Sequence, residues 1–220
     1  MLCWALAAIA AGVFQANSAS ADILVSNFSS PYRSTTPVGN PEFWAGQSFL
    51  FATPSPVYLD SIEAIVGNGA GAPDVVAELR SAVGPSFEID NSPGGLLATF
   101  TSPDMSGPSS IRSFAPNASI QLMPNTVYWF TLGTANSGTF DWDYADDPAT
   151  TGFGVLGNYS DSSDAGATWI LRDSTFPYFM QVNTSAIPEP GAGLVLTCIA
   201  GAMATGFRFS RSYTTPRNRH

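Results

Sequence analysis

Thr126-Val127-Tyr128-Trp129-Phe130-Thr131-Leu132-Gly133 and, a short gap later, Thr139-Phe140-Asp141-Trp142-Asp143-Tyr144 are the stretches on which the fold turns. In an extended chain successive side chains point to opposite faces. The second stretch therefore sets Phe140, Trp142 and Tyr144 on one face and Asp141 and Asp143 on the other, as in a strand with one side against a core. The first has Tyr128, Phe130 and Leu132 on one face and Val127, Trp129 and Thr131 opposite. A strand with so little polar surface belongs in the middle of a sheet. Met123-Pro124-Asn125, just before it, reads as the turn that starts it.

Outward from this pair, residues 22–185 repeat one theme. Short runs rich in β-branched and aromatic residues are separated by Gly, Pro, Asn, Asp and Ser. Strands are expected at 23–27, 44–52, 58–66, 75–82, 96–101, 111–115, 119–122, 126–133, 139–144, 168–172 and 179–183. No amphipathic helix is long enough to cover a parallel sheet. The expected fold is all-β, an antiparallel β-sandwich of jelly-roll-like type. Pairing order does not follow from the pattern.

The charges divide the chain of 220 residues. All eight cationic residues are Arg and there is no Lys. From Asp22 to Ile187 sixteen Asp and Glu stand against four Arg, a net −12; four more Arg crowd the last thirteen residues. The single His is His220, and the two Cys, Cys3 and Cys198, lie in apolar stretches at the two ends. The body thus lacks His, Cys and Lys. That excludes a His-assisted nucleophile, a Schiff-base lysine, a Walker lysine, a His/Cys zinc site and any internal disulfide. Net −12 also argues against nucleic acid, because each phosphate contact needs a cation.

Each end reads as an address. Residues 2–14, LCWALAAIAAGVF, are apolar and too short to span a bilayer comfortably. They precede Ala19-Ser20-Ala21, whose Ala19 and Ala21 supply small residues at the −3 and −1 positions of a signal-peptide cut. Residues 1–21 are the expected signal peptide, with the terminal amine as its only positive charge. At the far end Pro188-Glu189-Pro190 leads into residues 191–207, seventeen positions without a charge, and then into Arg208, Arg211, Arg217 and Arg219. Such a helix would be about 25 Å long, the low end of a membrane span. Arginines after it would stay on the cytoplasmic side and leave the body outside.

This order of Pro188-Glu189-Pro190, apolar helix and Arg-rich tail (208–220) resembles the PEP-CTERM sorting signal of bacterial exported proteins. The resemblance implies a domain 186–220 recognised and processed by an exosortase-type enzyme. It implies that the inner membrane holds residues 191–207 before processing, and that the product ends at the cell surface or outside. The body resembles the choice-of-anchor domains of such proteins, type R in particular. The matching pieces are Ala45-Gly46-Gln47-Ser48-Phe49, Leu59-Asp60-Ser61-Ile62, residues 75–80 and Pro93-Gly94-Gly95-Leu96-Leu97-Ala98-Thr99-Phe100. Leu122-Met123-Pro124-Asn125-Thr126-Val127-Tyr128-Trp129, Trp142, the 160–168 loop before Trp169 and Phe179-Met180-Gln181-Val182-Asn183 complete the series. This resemblance implies an exported β-sandwich without an assigned catalytic activity.

Two constellations could bind something. Asp141, Asp143, Asp146 and Asp147, with Asp161 and Asp164 further on, are hard oxygen donors suited to Ca²⁺ at extracellular affinity, although the spacing is not that of an EF-hand. The plainer expectation is solvated aspartates on an outer strand face and in turns. Trp44, Trp129, Trp142 and Trp169, with Tyr58, Tyr128, Tyr144 and Tyr159, could form a sugar-stacking platform, with exopolysaccharide as partner, or fill the core. Gly67-Asn68-Gly69-Ala70-Gly71 precedes a strand and lacks a lysine, so it is a turn and not a phosphate loop. Paired carboxylates for glycoside hydrolysis are expected by chance among so many acids. The expected protein is an exported, non-enzymatic surface or extracellular-matrix protein. A calcium- or carbohydrate-binding extracellular module is the alternative.

Overall fold

The computed structural model describes residues 22–52, 54–84 and 92–186. The expected signal peptide with Ala19 and Ala21, the Pro188-Glu189-Pro190 motif, the 191–207 segment and the arginines Arg208 and Arg211 lie outside the described residues. What is described belongs to one unit by its mutual contacts, residues 20–187. It is all-β, with no helix among the described residues.

Fourteen strands occur among the described residues: β1 (Asp22–Ser26), β2 (Tyr32–Gly39), β3 (Trp44–Phe51), β4 (Val57–Ala70), β5 (Val75–Ala82), β6 (Pro93–Thr101), β7 (Ser110–Pro116), β8 (Gln121–Leu122), β9 (Thr126–Thr134), β10 (Thr139–Ala145), β11 (Thr151–Gly152), β12 (Val155–Ser162), β13 (Ile170–Leu171) and β14 (Met180–Ala186). They form one antiparallel, curled sheet in the order β11-β1-β14-β4-β7-β6-β5-β9-β3-β12-β13. Off this path, β8 and β10 pair with β4, and β2 pairs with β10.

The apolar β9 lies between β3 and β5, in the interior position its two-sided apolar sequence called for. Its turn also has a physical cause. Pro124 fixes its own φ, and Asn125 takes the left-handed conformation (φ 53°), which Asn tolerates better than most residues. The hub is β4, fourteen residues long, which runs on through Gly67-Asn68-Gly69-Ala70, residues expected as a turn. Its core residues change phase from Leu59 to Ile62, Ala64 and Val66. The pairing with β14 explains this: Asn183 faces Ser61 but Thr184 faces Leu59, so Asp60 is the extra residue of a bulge.

Two long strands depart from the expected set. β2, Tyr-Arg-Ser-Thr-Thr-Pro-Val-Gly, has no apolar alternation and carries Pro37, which cannot donate to a ladder. It forms along the outside of β10, its only strand partner among the described residues. β12 begins before and runs into the expected 160–168 loop, and a register shift between Leu156 and Tyr159 disrupts its alternation. By contrast, the expected strand at 168–172 shrinks to β13.

Inside the curl, aromatic rings from distant strands meet. Phe130 of β9 packs edge-on against Phe100 (5.3 Å), Phe114 (5.3 Å) and Trp142 (5.9 Å), and Trp142 stacks on Tyr178 at 4.4 Å. Burying each such ring stabilises the fold by about 1.5–3 kcal/mol. No staple is present in this region and none is required by its size.

Candidate functional site

The acidic stretch is built by β10 and the turn after it. Phe140 and Trp142 point into the core and are buried, while Asp141 and Asp143 occupy the other face, as alternation requires. That outer face is partly roofed by residues 105–109. The roof sits close because β4 has glycine beneath it: a Cβ on Gly67 would come within 2.6 Å of Ser109 Cα. Asn68 N donates to Gly107 O (2.7 Å) and Gly69 N to Met105 O (2.9 Å), fixing the loop to the strand.

Each of the four aspartates has separate employment. Asp141 Oδ2 accepts from Asn68 Nδ2 (3.0 Å), and Asp143 Oδ1 accepts from Ser109 Oγ (3.1 Å) under the roof. Asp146 pairs with Arg33, whose guanidinium also lies 3.6 Å over the Phe176 ring. Asp147 caps the following turn by accepting from Ala149 N (2.9 Å). Among the described residues no three His, Cys, Asp or Glu side chains are grouped to hold a metal ion. The sequence neighbours Asp141, Asp143, Asp146 and Asp147 are therefore not brought together as a calcium cage. Asp164 closes its own loop too, accepting from Thr168 N and Oγ1 (2.8 and 2.6 Å) and from Ser162 Oγ (2.7 Å). These bonds hold its carboxyl down at about pKa 2.

Asp143 behaves differently. Burial under the 105–109 loop pushes its pKa above the usual carboxylate range, against the pull of the Ser109 hydroxyl. A carboxyl whose folded pKa is raised binds its proton more tightly in the folded state. Stability is therefore gained as pH falls through that raised value and is complete below the unfolded value of about 3.9. Asp143→Asn keeps an oxygen for Ser109 and removes the charge. It is expected to raise Tm at pH 7 by about 1–2 °C, an effect below about 0.5 kcal/mol, with the gain vanishing near pH 4. Thermal melts of both proteins at the two pH values check this.

The aromatic candidates are used up in packing. Trp129 and Trp142 are fully buried and Trp44 is 7% exposed. Trp44 donates to Pro41 O (3.0 Å) and lies flat on Gly133, where a Cβ would meet its ring at 2.2 Å. Trp169 is half-buried beside Gly166, with the Arg80 guanidinium 6.0 Å from its ring. Tyr128 is buried, and Tyr58, Tyr144 and Tyr159 are half-buried. No exposed coplanar pair of tryptophans exists among the described residues.

No family model matches the chain, and no curated protein matches it either.

Sequence reasoning passed over two amides that the fold makes central. Gln47, fully buried on β3, donates from Nε2 to Gly157 O (2.8 Å) and accepts at Oε1 from Tyr178 N (3.0 Å). Asn27, also fully buried, donates to Tyr178 O (3.1 Å) and accepts from Met180 N (2.8 Å). Together they hold the N–H and the C=O of Tyr178 and tie the start of β14 to β3 and to the end of β1. A polar residue inside an apolar run was the available signal; its partners, more than a hundred positions away, were not visible.

Proposed function

We propose that this chain is an exported, non-enzymatic bacterial surface or extracellular-matrix protein, sorted and processed through the signal at Pro188-Glu189-Pro190. The observation that carries the reading is the order of motif, uncharged segment 191–207 and arginines Arg208 and Arg211, behind a signal-peptide-like start cut at Ala21. Its partners are an exosortase-type enzyme and, before processing, the inner membrane. In this reading the curled sheet is a jelly-roll-like sandwich, supported by the single core that strands from β1 (Leu24) to β14 (Val182) share. The work of the body is structural. Support comes from its composition, without His, Cys or Lys, from aspartates engaged in turns and ion pairs, and from tryptophans committed to packing.

The test is an intact mass of the protein extracted from the cell surface. Loss of residues 1–21 together with a cut near Pro190 is expected. A mass that still includes residues 191–220 would make the segment a permanent anchor and sink the sorting reading.

A further inference from the structure

The loop 105–109, which roofs Asp143, is seated on the only Asn-Gly pair in the chain, Asn68-Gly69. Both residues are set by the closeness of that loop. A Cβ on Gly69 would lie 2.8 Å from Met105 O, so no larger residue fits there. Asn68 takes the left-handed conformation (φ 55°), in which Asn is among the few tolerated side chains. The geometry that seats the roof thus selects a pair with a chemistry of its own.

An asparagine side chain is an amide, and the next backbone nitrogen can close a five-membered ring on its carbonyl carbon. Glycine at that next position leaves the approach unhindered. In the closure Gly69 N bonds to Asn68 Cγ and the Cγ–Nδ2 bond breaks. The proton of Gly69 N passes through water to the departing group, which leaves as ammonia. Water then opens the succinimide at either carbonyl, giving aspartate or isoaspartate.

In the folded protein both reacting groups are engaged. Gly69 N donates to Met105 O (2.9 Å), and the neighbouring Asn68 N donates to Gly107 O (2.7 Å). Asn68 Nδ2 donates to Asp141 Oδ2 (3.0 Å) and to Ser109 Oγ (3.4 Å). Met105, buried in the core, anchors the loop, and Arg112 Nη2 holds Ser106 O at 2.9 Å. Asn68 itself is exposed, so water reaches it. What the roof withholds is the Gly69 nitrogen.

We propose that Asn68 is a latent deamidation site gated by the 105–109 loop: a closed roof preserves the amide, an opened roof frees Gly69 N to attack it, and the product opposes reclosure. The last step follows from charge. Conversion puts an oxygen where Nδ2 now donates, facing Asp141 Oδ2, with Asp143 under the same roof. Asp141 loses its donor and gains a like charge in contact. Each opening that ends in conversion is therefore recorded permanently in the chain.

The full chain is kept in mildly alkaline buffer and digested, and mass spectrometry follows the amide-to-acid mass gain at residue 68. The folded chain is expected to convert about tenfold or more slowly than the same chain in urea, because reaction waits on local opening. This comparison needs no variant. Gly107→Ala loosens the roof without touching the core, since Gly107 has φ 80° and nothing stands within 4 Å of its would-be Cβ. It is expected to speed conversion of the folded chain about fivefold, the factor to which the left-handed penalty of a residue with a Cβ converts. Equal rates in buffer and urea, or a Gly107→Ala rate equal to the parent's, would overturn the gate. The product is tested by Asn68→Asp, expected to lower Tm by about 3 °C, most of which Asp141→Asn added to it should restore. An Asn68→Asp chain as stable as the parent, or a loss that Asp141→Asn leaves unchanged, overturns the one-way step.

Discussion

Trp142→Ala is expected to lower the unfolding free energy by about 3–5 kcal/mol, the range for removing a large aromatic from a packed core. Trp142 is fully buried, stacked on Tyr178 at 4.4 Å and edge-on to Phe130 at 5.9 Å, and its Nε1 donates to Phe179 O at 3.2 Å. Alanine removes both ring contacts, opens a cavity between β9, β10 and the start of β14, and strands a carbonyl. Because Tyr178 also meets Tyr144 and Tyr159, the loss spreads through one aromatic layer. Trp142→Phe restores the ring but not the donor, and is expected to recover more than half of the loss. Urea denaturation of the three proteins measures the difference. A Trp142→Ala stability within about 1 kcal/mol of the parent would show that this layer does not hold β9 and β10 to the start of β14.

Gln47→Glu changes almost no volume and is expected to cost about 3 kcal/mol or more at pH 7. The amide nitrogen of Gln47 faces three carbonyl oxygens, those of Gly157, Ser48 and Asn158, at 2.8, 3.1 and 3.2 Å. An ionised carboxylate there has no proton to donate and opposes those oxygens with a charge removed from water. The folded-state pKa of the new side chain must then rise above the unfolded value of about 4.3. The penalty is consequently absent below about pH 4, grows as pH rises through that value, and levels off above the raised one. Comparing denaturation midpoints of variant and parent at pH 7 and pH 4 checks both size and sign. A gap that is equal at the two pH values would place the damage in geometry and not in charge.

Much of the architecture was legible because alternation is a local property. Phe140, Trp142 and Tyr144 share a face by backbone geometry alone, and a run such as Tyr128 to Leu132 has no polar side to offer water. Strands that depend on a neighbour were not legible: β2, with Pro37, and β12, with its register shift, carry no apolar period of their own and form because β10 and β3 offer them ladders. The acidic stretch shows the same division. Spacing put Asp141, Asp143, Asp146 and Asp147 close along the chain, but whether carboxylates share an ion depends on direction in space. Alternation and the turn gave each a different partner, Asn68, Ser109, Arg33 and the backbone of Ala149.

By itself the sequence determined the all-β class, the interior place of β9 and the absence of His, Cys and Lys from the body, since these follow from side-chain identity and period two. Tertiary structure alone decided that the tryptophans are packed, that Gln47 and Asn27 clasp Tyr178, and that Asp22 and Ala186 lie at one end of the sheet. Those facts depend on contacts between residues far apart in the chain, and no local pattern encodes which distant strand will supply the partner.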